Sequence, residues 1–99
     1  MRLKERIPIV LDKLNIEEFL IHHNYNKSVI VSSIEKYNSK FNHIKNKWSD
    51  NPDFRFGQLL INEGIIPDGF AWYTEEIDWL IEFGKVSARE LLFWGGEIR

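Results

Sequence analysis

"SVIVSSIEKYNSKFNHIKNKW", residues 28–48, has the clearest periodicity in the chain and decides the predicted fold. Large apolar residues recur in it at intervals of four, three, four, three and four residues: Ile30, Ile34, Tyr37, Phe41, Ile44 and Trp48. Because an α-helix turns once every 3.6 residues, this spacing places them all on one helix face. The sequence therefore predicts one long helix over about residues 28–48, and we call these apolar residues the seam.

The seam has two uses that the sequence does not separate. It can form the core of a bundle within one domain, or it can pack against the seam of a second copy. A coiled coil usually needs three to four heptads or more, and the seam is shorter than that. We favour a bundle helix and leave both a monomer and a homodimer open.

Signals for further helices flank the seam. Before it, an apolar period runs over residues 3–14, with Pro8 either bending this helix or marking its start. Asn15 is placed to cap a short second helix, and residues 22–27 have the composition of a polar loop.

After the seam, turn residues divide the chain again. Asn51 and Pro52 are predicted to cap and begin a helix that ends at Gly64, because glycine readily takes the left-handed conformation that follows many helices. Thr74 is predicted to cap the next helix, which Gly84 ends. The expected fold is an all-α bundle of four or five helices around one long central helix.

The composition predicts one folded domain over residues 1–99. This length suits a single hydrophobic core, and 43% hydrophobic with 28% charged residues is ordinary for a globular protein. The chain has no cysteine, which excludes disulfides, zinc–thiolate sites and cysteine nucleophiles. No apolar run approaches the ~18 residues of a membrane helix, so we expect a cytoplasmic protein without a membrane contact.

Charge is divided unevenly along the chain. Residues 1–48 contain nine Lys and Arg against five Asp and Glu, whereas residues 49–99 contain four against ten. The two parts can complement each other by packing, or the basic part can meet an anionic partner. In the second case Lys36, Lys40 and Lys47 would face the anion, and nucleic acid is the alternative partner.

The helix predicted after residue 74 has an acidic stripe. Glu75, Asp78 and Glu82 are three and four residues apart and so share one helix face. Such a stripe is either a solvated face or a docking face for a basic region of a protein partner.

Asp53, Arg55 and Gln58 are candidate binding residues within "NPDFRFGQLL", residues 51–60. Arg55 is the only cation between Lys47 and Lys85. It can form an internal ion pair, or it can join the other two in binding a carboxylate or a backbone ligand.

Trp94 is a further candidate binding residue. It ends a helical turn that a capping box at residues 87–90 begins and Gly95 stops. Tryptophan is enriched in binding hot spots, and its size suits it equally to closing a small core, so both roles stay open.

The sequence has no pattern typical of catalysis or of metal binding. His22 and His23 are adjacent, and neighbouring side chains on a helix point about 100° apart, so the two are poorly placed to share an ion. Neither H-E-x-x-H nor G-x-S-x-G occurs. We expect no metal, no cofactor and no catalytic residue, with the histidines in loops or at the surface.

Three segments resemble a family of short uncharacterised proteins of bacteria and their phages: "RIPIVLDKL" at 6–14, "WSDNPDFRFGQLLINEGII" at 48–66 and "WYTEEIDWL" at 72–80. The middle segment contains the W-x-x-N-P-D-x-R-x-G-Q-L-[LI] pattern of that family. The resemblance implies no known activity. It implies that any role of the family's polar positions falls on Asp53, Arg55 and Gln58.

The leading prediction is a non-catalytic protein-binding or regulatory accessory protein of phage or prophage origin. Its acidic C-terminal half would face a protein partner. The alternatives are a nucleic-acid-associated protein that uses the basic helix 28–48, and a small enzyme whose site no sequence pattern reveals.

Overall fold

The computed structural model describes residues 3–69, 71–72 and 74–85, and their fold is all-α. These residues form six helices: α1 Leu3–Lys13, α2 Ile16–His22, α3 Lys27–Ser39, α4 Phe41–Asp50, α5 Phe56–Asn62 and α6 Glu76–Glu82. The predicted all-α bundle is confirmed, with six helices in the described residues where four or five were expected. The predicted helical turn at residues 87–94 lies outside the described residues.

The predicted long helix is divided at Lys40, so the prediction of one helix over 28–48 needs correction. Lys40 has φ −109° and ψ 15°, and it ends α3 and precedes α4. Just before it, the Ser39 hydroxyl donates a hydrogen bond to the Glu35 carbonyl at 3.0 Å. Serine bonded in this way to the carbonyl four residues earlier weakens and bends a helix. Apolar periodicity carries no signal of this kind, because the seam spacing continues through the bend.

The helix starts near residues 15 and 26 follow ordinary capping chemistry. The Asn15 side chain accepts a hydrogen bond from the Glu18 amide at 3.1 Å, which confirms the predicted cap of α2. Asn26 caps α3 in the same way, accepting from the Val29 amide at 3.0 Å. Gly64 and Gly84 have φ 72° and 68°, as predicted for the residues that end α5 and α6.

Two predicted helix starts are wrong. Asn51 ends α4 and does not cap α5, because its amide donates to the carbonyls of Lys47 and Trp48. Residues 52–54 then form a turn, so α5 begins at Phe56 and Pro52 is not its first residue. The N-terminal capping position of α6 is occupied by Glu75, one residue later than the predicted Thr74.

The core forms around Phe56, at the start of α5. Its ring meets an aromatic ring from each of α2, α3 and α4, with centroids 5.5 Å from Phe19, 6.1 Å from Tyr37 and 5.5 Å from Trp48. The Phe19 and Tyr37 rings meet it edge to face and the Trp48 ring is tilted, and ring contacts at such distances add to the apolar area that is buried. Of the seam, Tyr37, Ile44 and Trp48 are buried, so the last part of the seam belongs to the core.

The first and last described helices pack against each other. Helix α1 packs on both α4 and α6, and α4 packs on α5. Pro8 lies inside α1 with an exposed side chain, so α1 begins before the proline. Ile7 and Val10 point into the core from the same helix. This packing places Arg6 of α1 beside the turn that precedes α5.

Helix α5 and the segment that follows it lie so close together that only glycine fits at residue 57. A Cβ atom added there would lie 1.9 Å from the carbonyl oxygen of Ala71. The glycine in the "RFGQLL" segment therefore has a packing reason, which is contact between the first turn of α5 and a backbone carbonyl.

Candidate functional site

The polar residues of the 51–60 segment meet α6 at the start of α5. Arg55 Nε donates to Glu75 Oε1 at 2.6 Å, and the side chains of the two residues are 39% and 35% exposed. The ion pair that the sequence offered for Arg55 is thus present, with a partner twenty residues later. Solvent reaches both groups, so the pair contributes little to stability and its guanidinium stays partly accessible.

A second ion pair beside the first is buried completely. Arg6 is 2% exposed and Glu76 is 0% exposed, with Arg6 Nε 2.8 Å from Glu76 Oε1. Neither Arg6 Nε nor Glu76 Oε1 has a partner in hydrogen-bond geometry, so the N–H group of Arg6 Nε is not aligned for a hydrogen bond. The contact is therefore a close charge pair more than a directed bond. Burial raises the pKa of Glu76 even though Arg6 opposes the shift.

Both members of the buried pair also bind the backbone around residue 55. Arg6 Nη2 donates to the Phe54 carbonyl at 2.9 Å, and Glu76 Oε2 accepts from the Phe56 amide at 3.1 Å. Trp48 Nε1 donates to the same Phe54 carbonyl at 2.8 Å, and the Arg6 guanidinium lies 5.6 Å from the Trp48 ring centroid. The turn before α5 is thus held from α1, α4 and α6, and its geometry is that of a structural joint.

The other predicted binding residues of this segment do not join the pair. Asp53 is exposed and Gln58 is half-buried. In the described part of the chain, no hydrogen bond or ion pair connects either of them to Arg55. Trp94 lies outside the described residues. The recognition cluster of Asp53, Arg55 and Gln58 therefore stays a prediction, and Arg55 already has a partner.

Arg6 and Glu76 were missed by the sequence reasoning, although a signal was available. Arg6 precedes the buried Val10 by four residues, and Glu76 precedes the buried Leu80 by four. Residues four apart on a helix share a face, so each charge lies on the face that enters the core. A charge on such a face needs a partner of opposite sign, and each half of the chain supplies one.

The acidic stripe lies at the start of α6 and along its surface. Glu75 is bound by Arg55, and the side chains of Asp78 and Glu82 are exposed. The lysines predicted to face an anion, Lys36, Lys40 and Lys47, are all exposed. These placements keep both surfaces accessible and favour neither partner.

Two histidines have side-chain contacts that the sequence did not predict. His23 lies in the loop after α2, as expected, but its side chain is only 9% exposed and its ring packs edge-on against Phe19 at 4.6 Å between centroids. Burial lowers the pKa of His23, and the neighbouring His22 adds to the effect. His43 is exposed and forms an ion pair with Glu63 when protonated. Among the described residues no group of three His, Cys, Asp or Glu is placed to hold a metal.

An open apolar groove lies between α2 and α3. It has a volume of about 450 Å³ and is lined by Glu17, Ile21, Lys27, Ile30, Val31 and Ile34. Ile21 is 56% exposed and Val31 is 58% exposed, the highest values among the large apolar side chains in the described ranges. Ile30 and Ile34, the first residues of the seam, are only half-buried here. We call this surface the α2–α3 groove.

A smaller cleft lies between α1 and α4. Its volume is about 250 Å³, and it is lined by Pro8, Leu11, Asp12, Phe41 and Lys45. Polar atoms make up a larger share of its surface than of the surface of the α2–α3 groove.

Comparisons of the chain with protein-family models, with curated proteins and with solved structures find no match. None of the helices in residues 3–85 that the structure describes has both the length and the apolar character needed to cross a bilayer.

Proposed function

We propose that this chain is a non-catalytic protein-binding or regulatory accessory protein that binds a helix of another protein chain in the α2–α3 groove. The observation that supports this proposal is the concentration of exposed aliphatic side chains in one concave surface. Single exposed apolar residues are common, but a concave apolar surface flanked by charges is typical of an interaction site. A groove between two helices is the usual receptor for the apolar face of a third.

The residues first considered for binding support the proposal less well. Arg55 is held by Glu75, and the buried Arg6–Glu76 pair holds the backbone beside it. The acidic C-terminal half, in which Asp78 and Glu82 are exposed, is a further surface for a basic region of the same partner. A phage or prophage origin and a cytoplasmic location belong to the proposal as well.

Site-specific crosslinking tests this function. A photoreactive amino acid in place of Val31 reports contacts in the groove, and the same residue in place of exposed Lys36 on α3 is the matched control. After irradiation in a bacterial lysate, we expect a protein adduct from position 31 whose crosslinked peptide has a helical apolar period. No adduct from position 31, or equal adducts from both positions, would refute binding in the groove.

The acidic half is tested with the same reagent. Reversing Asp78 and Glu82 to lysine replaces the two exposed negative charges of α6 with positive ones and leaves the residues of the groove unchanged. If this surface also meets the partner, the yield of the adduct from position 31 falls. An unchanged yield would remove the acidic face from the proposal and leave the groove.

Nucleic acid is the second candidate, because Lys36, Lys40 and Lys47 are all exposed on α3, α4 and the bend between them. Binding through phosphate contacts weakens steeply between about 50 and 200 mM salt. We expect a nucleic-acid-binding chain to follow that dependence and to lose affinity when Lys40 and Lys47 are replaced by glutamate. Absence of binding at low salt would exclude this candidate. The small-enzyme alternative stays a hypothesis.

A further inference from the structure

The seam serves two different purposes along its length. Its last residues, Ile44 and Trp48, are fully buried in the core of one chain. Its first residues, Ile30 and Ile34, remain half-buried because they line the α2–α3 groove. The pattern of one continuous apolar face therefore extends beyond the part that the single chain covers.

The charges at the groove are arranged as a complementary pair. Glu17 lies in the first turn of α2, and Lys27 is the first residue of α3. A loop of four residues joins α2 to α3, so Lys27 lies at the end of the groove near the loop, whereas Glu17 lies five residues before the last residue of α2. Both side chains are exposed, and neither takes part in an ion pair among the described residues.

The position of Lys27 is unfavourable within a single chain. The N-terminus of a helix has a partial positive charge and stabilises anions, and α3 has no acidic residue in its first turn. A carboxylate supplied from outside would compensate both Lys27 and the helix terminus. The groove itself contains one such carboxylate, that of Glu17, at a different position.

From these observations we propose that the occupant of the α2–α3 groove is the same groove of a second copy of this chain, forming a symmetric dimer. This inference rests on the proposed protein-binding function and names the partner. In a two-fold interface, residue i of one subunit meets residue j of the other and the reverse contact follows. Glu17 of each copy then meets Lys27 of the other, while Ile21, Val31 and Ile34 cover one another.

Sedimentation equilibrium of the full chain tests the association directly. We expect a monomer–dimer equilibrium at micromolar to millimolar concentrations. Val31→Glu places a charge in the middle of the apolar surface and should weaken dimerisation by more than about 100-fold. Val31 is 58% exposed in the single chain, so helix content and cooperative unfolding should be retained.

Charge reversal tests the pairing of Glu17 with Lys27. Glu17→Lys or Lys27→Glu alone opposes like charges twice in the dimer and should weaken association roughly tenfold. The double variant restores opposite charges and should return the dissociation constant to within about threefold of the wild-type value. Lys36→Glu makes the same charge change on α3 outside the groove and should leave association unchanged.

Lys27→Glu also distinguishes an effect on association from an effect on the stability of the monomer. The new carboxylate at the first residue of α3 should raise the melting temperature of the monomer while association weakens. If the double variant associates no better than either single variant, the proposed pairing is refuted. If the wild-type chain is monomeric at every concentration, self-association is refuted.

The two proposals fail in different ways. A monomeric chain whose residue-31 crosslinker captures a different protein overturns the dimer and supports protein binding. A crosslinked product of twice the chain mass from purified protein, absent from the position-36 control, supports both. A monomeric chain that yields no adduct from position 31 overturns both.

Discussion

Replacing Glu76 with glutamine keeps the size of a fully buried side chain and removes its charge. Arg6 would then remain 2% exposed without a counter-ion, because its guanidinium is also held by the Phe54 carbonyl. Removing one partner of a buried ion pair costs about 3–5 kcal/mol, since the desolvated charge that remains is uncompensated. A domain of this size has a free energy of unfolding of about 5–15 kcal/mol. Glu76→Gln should therefore remove a large part of the stability.

Urea unfolding followed by tryptophan fluorescence and circular dichroism measures the effect. With a dependence on urea of about 1–3 kcal/mol per molar, the transition midpoint should fall by more than about 1 M. Far-ultraviolet circular dichroism at zero urea checks that the variant still folds.

The double variant Arg6→Met with Glu76→Gln is the matched control, because it removes both buried charges and keeps an oxygen that can accept from the Phe56 amide. Removing both members of a buried ion pair leaves no uncompensated charge, and such replacements are often neutral or stabilising. Most of the loss seen for Glu76→Gln should be recovered. A loss below about 1 kcal/mol for Glu76→Gln would contradict the reasoning, because a buried arginine cannot lose its counter-ion at so little cost.

Three further predictions concern His23, residue 57 and Arg55. Because burial lowers the pKa of His23 from 6.5, the unfolded chain takes up this proton first. The neutral, buried His23 ring therefore contributes fully to the free energy of unfolding above about pH 6.5, and this contribution is lost as the pH falls below that value. His23→Phe should accordingly weaken the dependence of the free energy of unfolding on pH between about pH 7 and 5. An unchanged profile would assign the loss to other groups. Gly57→Ala should cost at least about 1–3 kcal/mol in urea unfolding, since its Cβ would meet a backbone carbonyl, whereas Gly69→Ala makes only an ordinary contact and serves as control. Equal costs for the two would contradict the close approach at residue 57. Arg55→Ala should lower stability by no more than about 1 kcal/mol, since its ion pair is more than one-third exposed, and a thermal melt that shows a much larger loss would indicate a buried role.

Local rules predicted the parts of this fold that depend on local chemistry. The cap at Asn15 follows from a side chain within reach of an amide three residues later. The helix ends at Gly64 and Gly84 follow from backbone angles that glycine adopts at low cost. The all-α class follows from apolar spacing, which also places Ile44 and Trp48, both buried in the structure, on one helix face.

Predictions that depended on competition between signals were less accurate. Asparagine is a common helix cap, but the backbone amide of Asn51 donates to the carbonyls at the end of α4. Asn51 therefore ends one helix and does not begin the next. The seam predicts a continuous helix, and the bend at Lys40 follows from a serine hydroxyl that competes for a carbonyl. Spacing alone cannot rank such alternatives, because both are compatible with the same residues.

The candidate site was predicted only in part, because spacing along the chain does not tell which side chains of different helices meet. Sequence spacing identified Arg55 as a cation among acids, and the structure supplies its partner Glu75 from another helix. The Arg6–Glu76 contact joins residues seventy positions apart, and helical periodicity can place each charge on a buried face without naming the partner.

By itself, the sequence determined that this chain folds as helices, where several of them end, and which apolar residues share the face that forms the seam. These features depend on hydrogen bonds and side-chain spacing within a few residues. Only the tertiary structure decided that Arg6 meets Glu76 and that the first part of the seam lines an open groove between α2 and α3. Those features depend on which helix faces meet, and the same apolar period is compatible with a covered or an uncovered face.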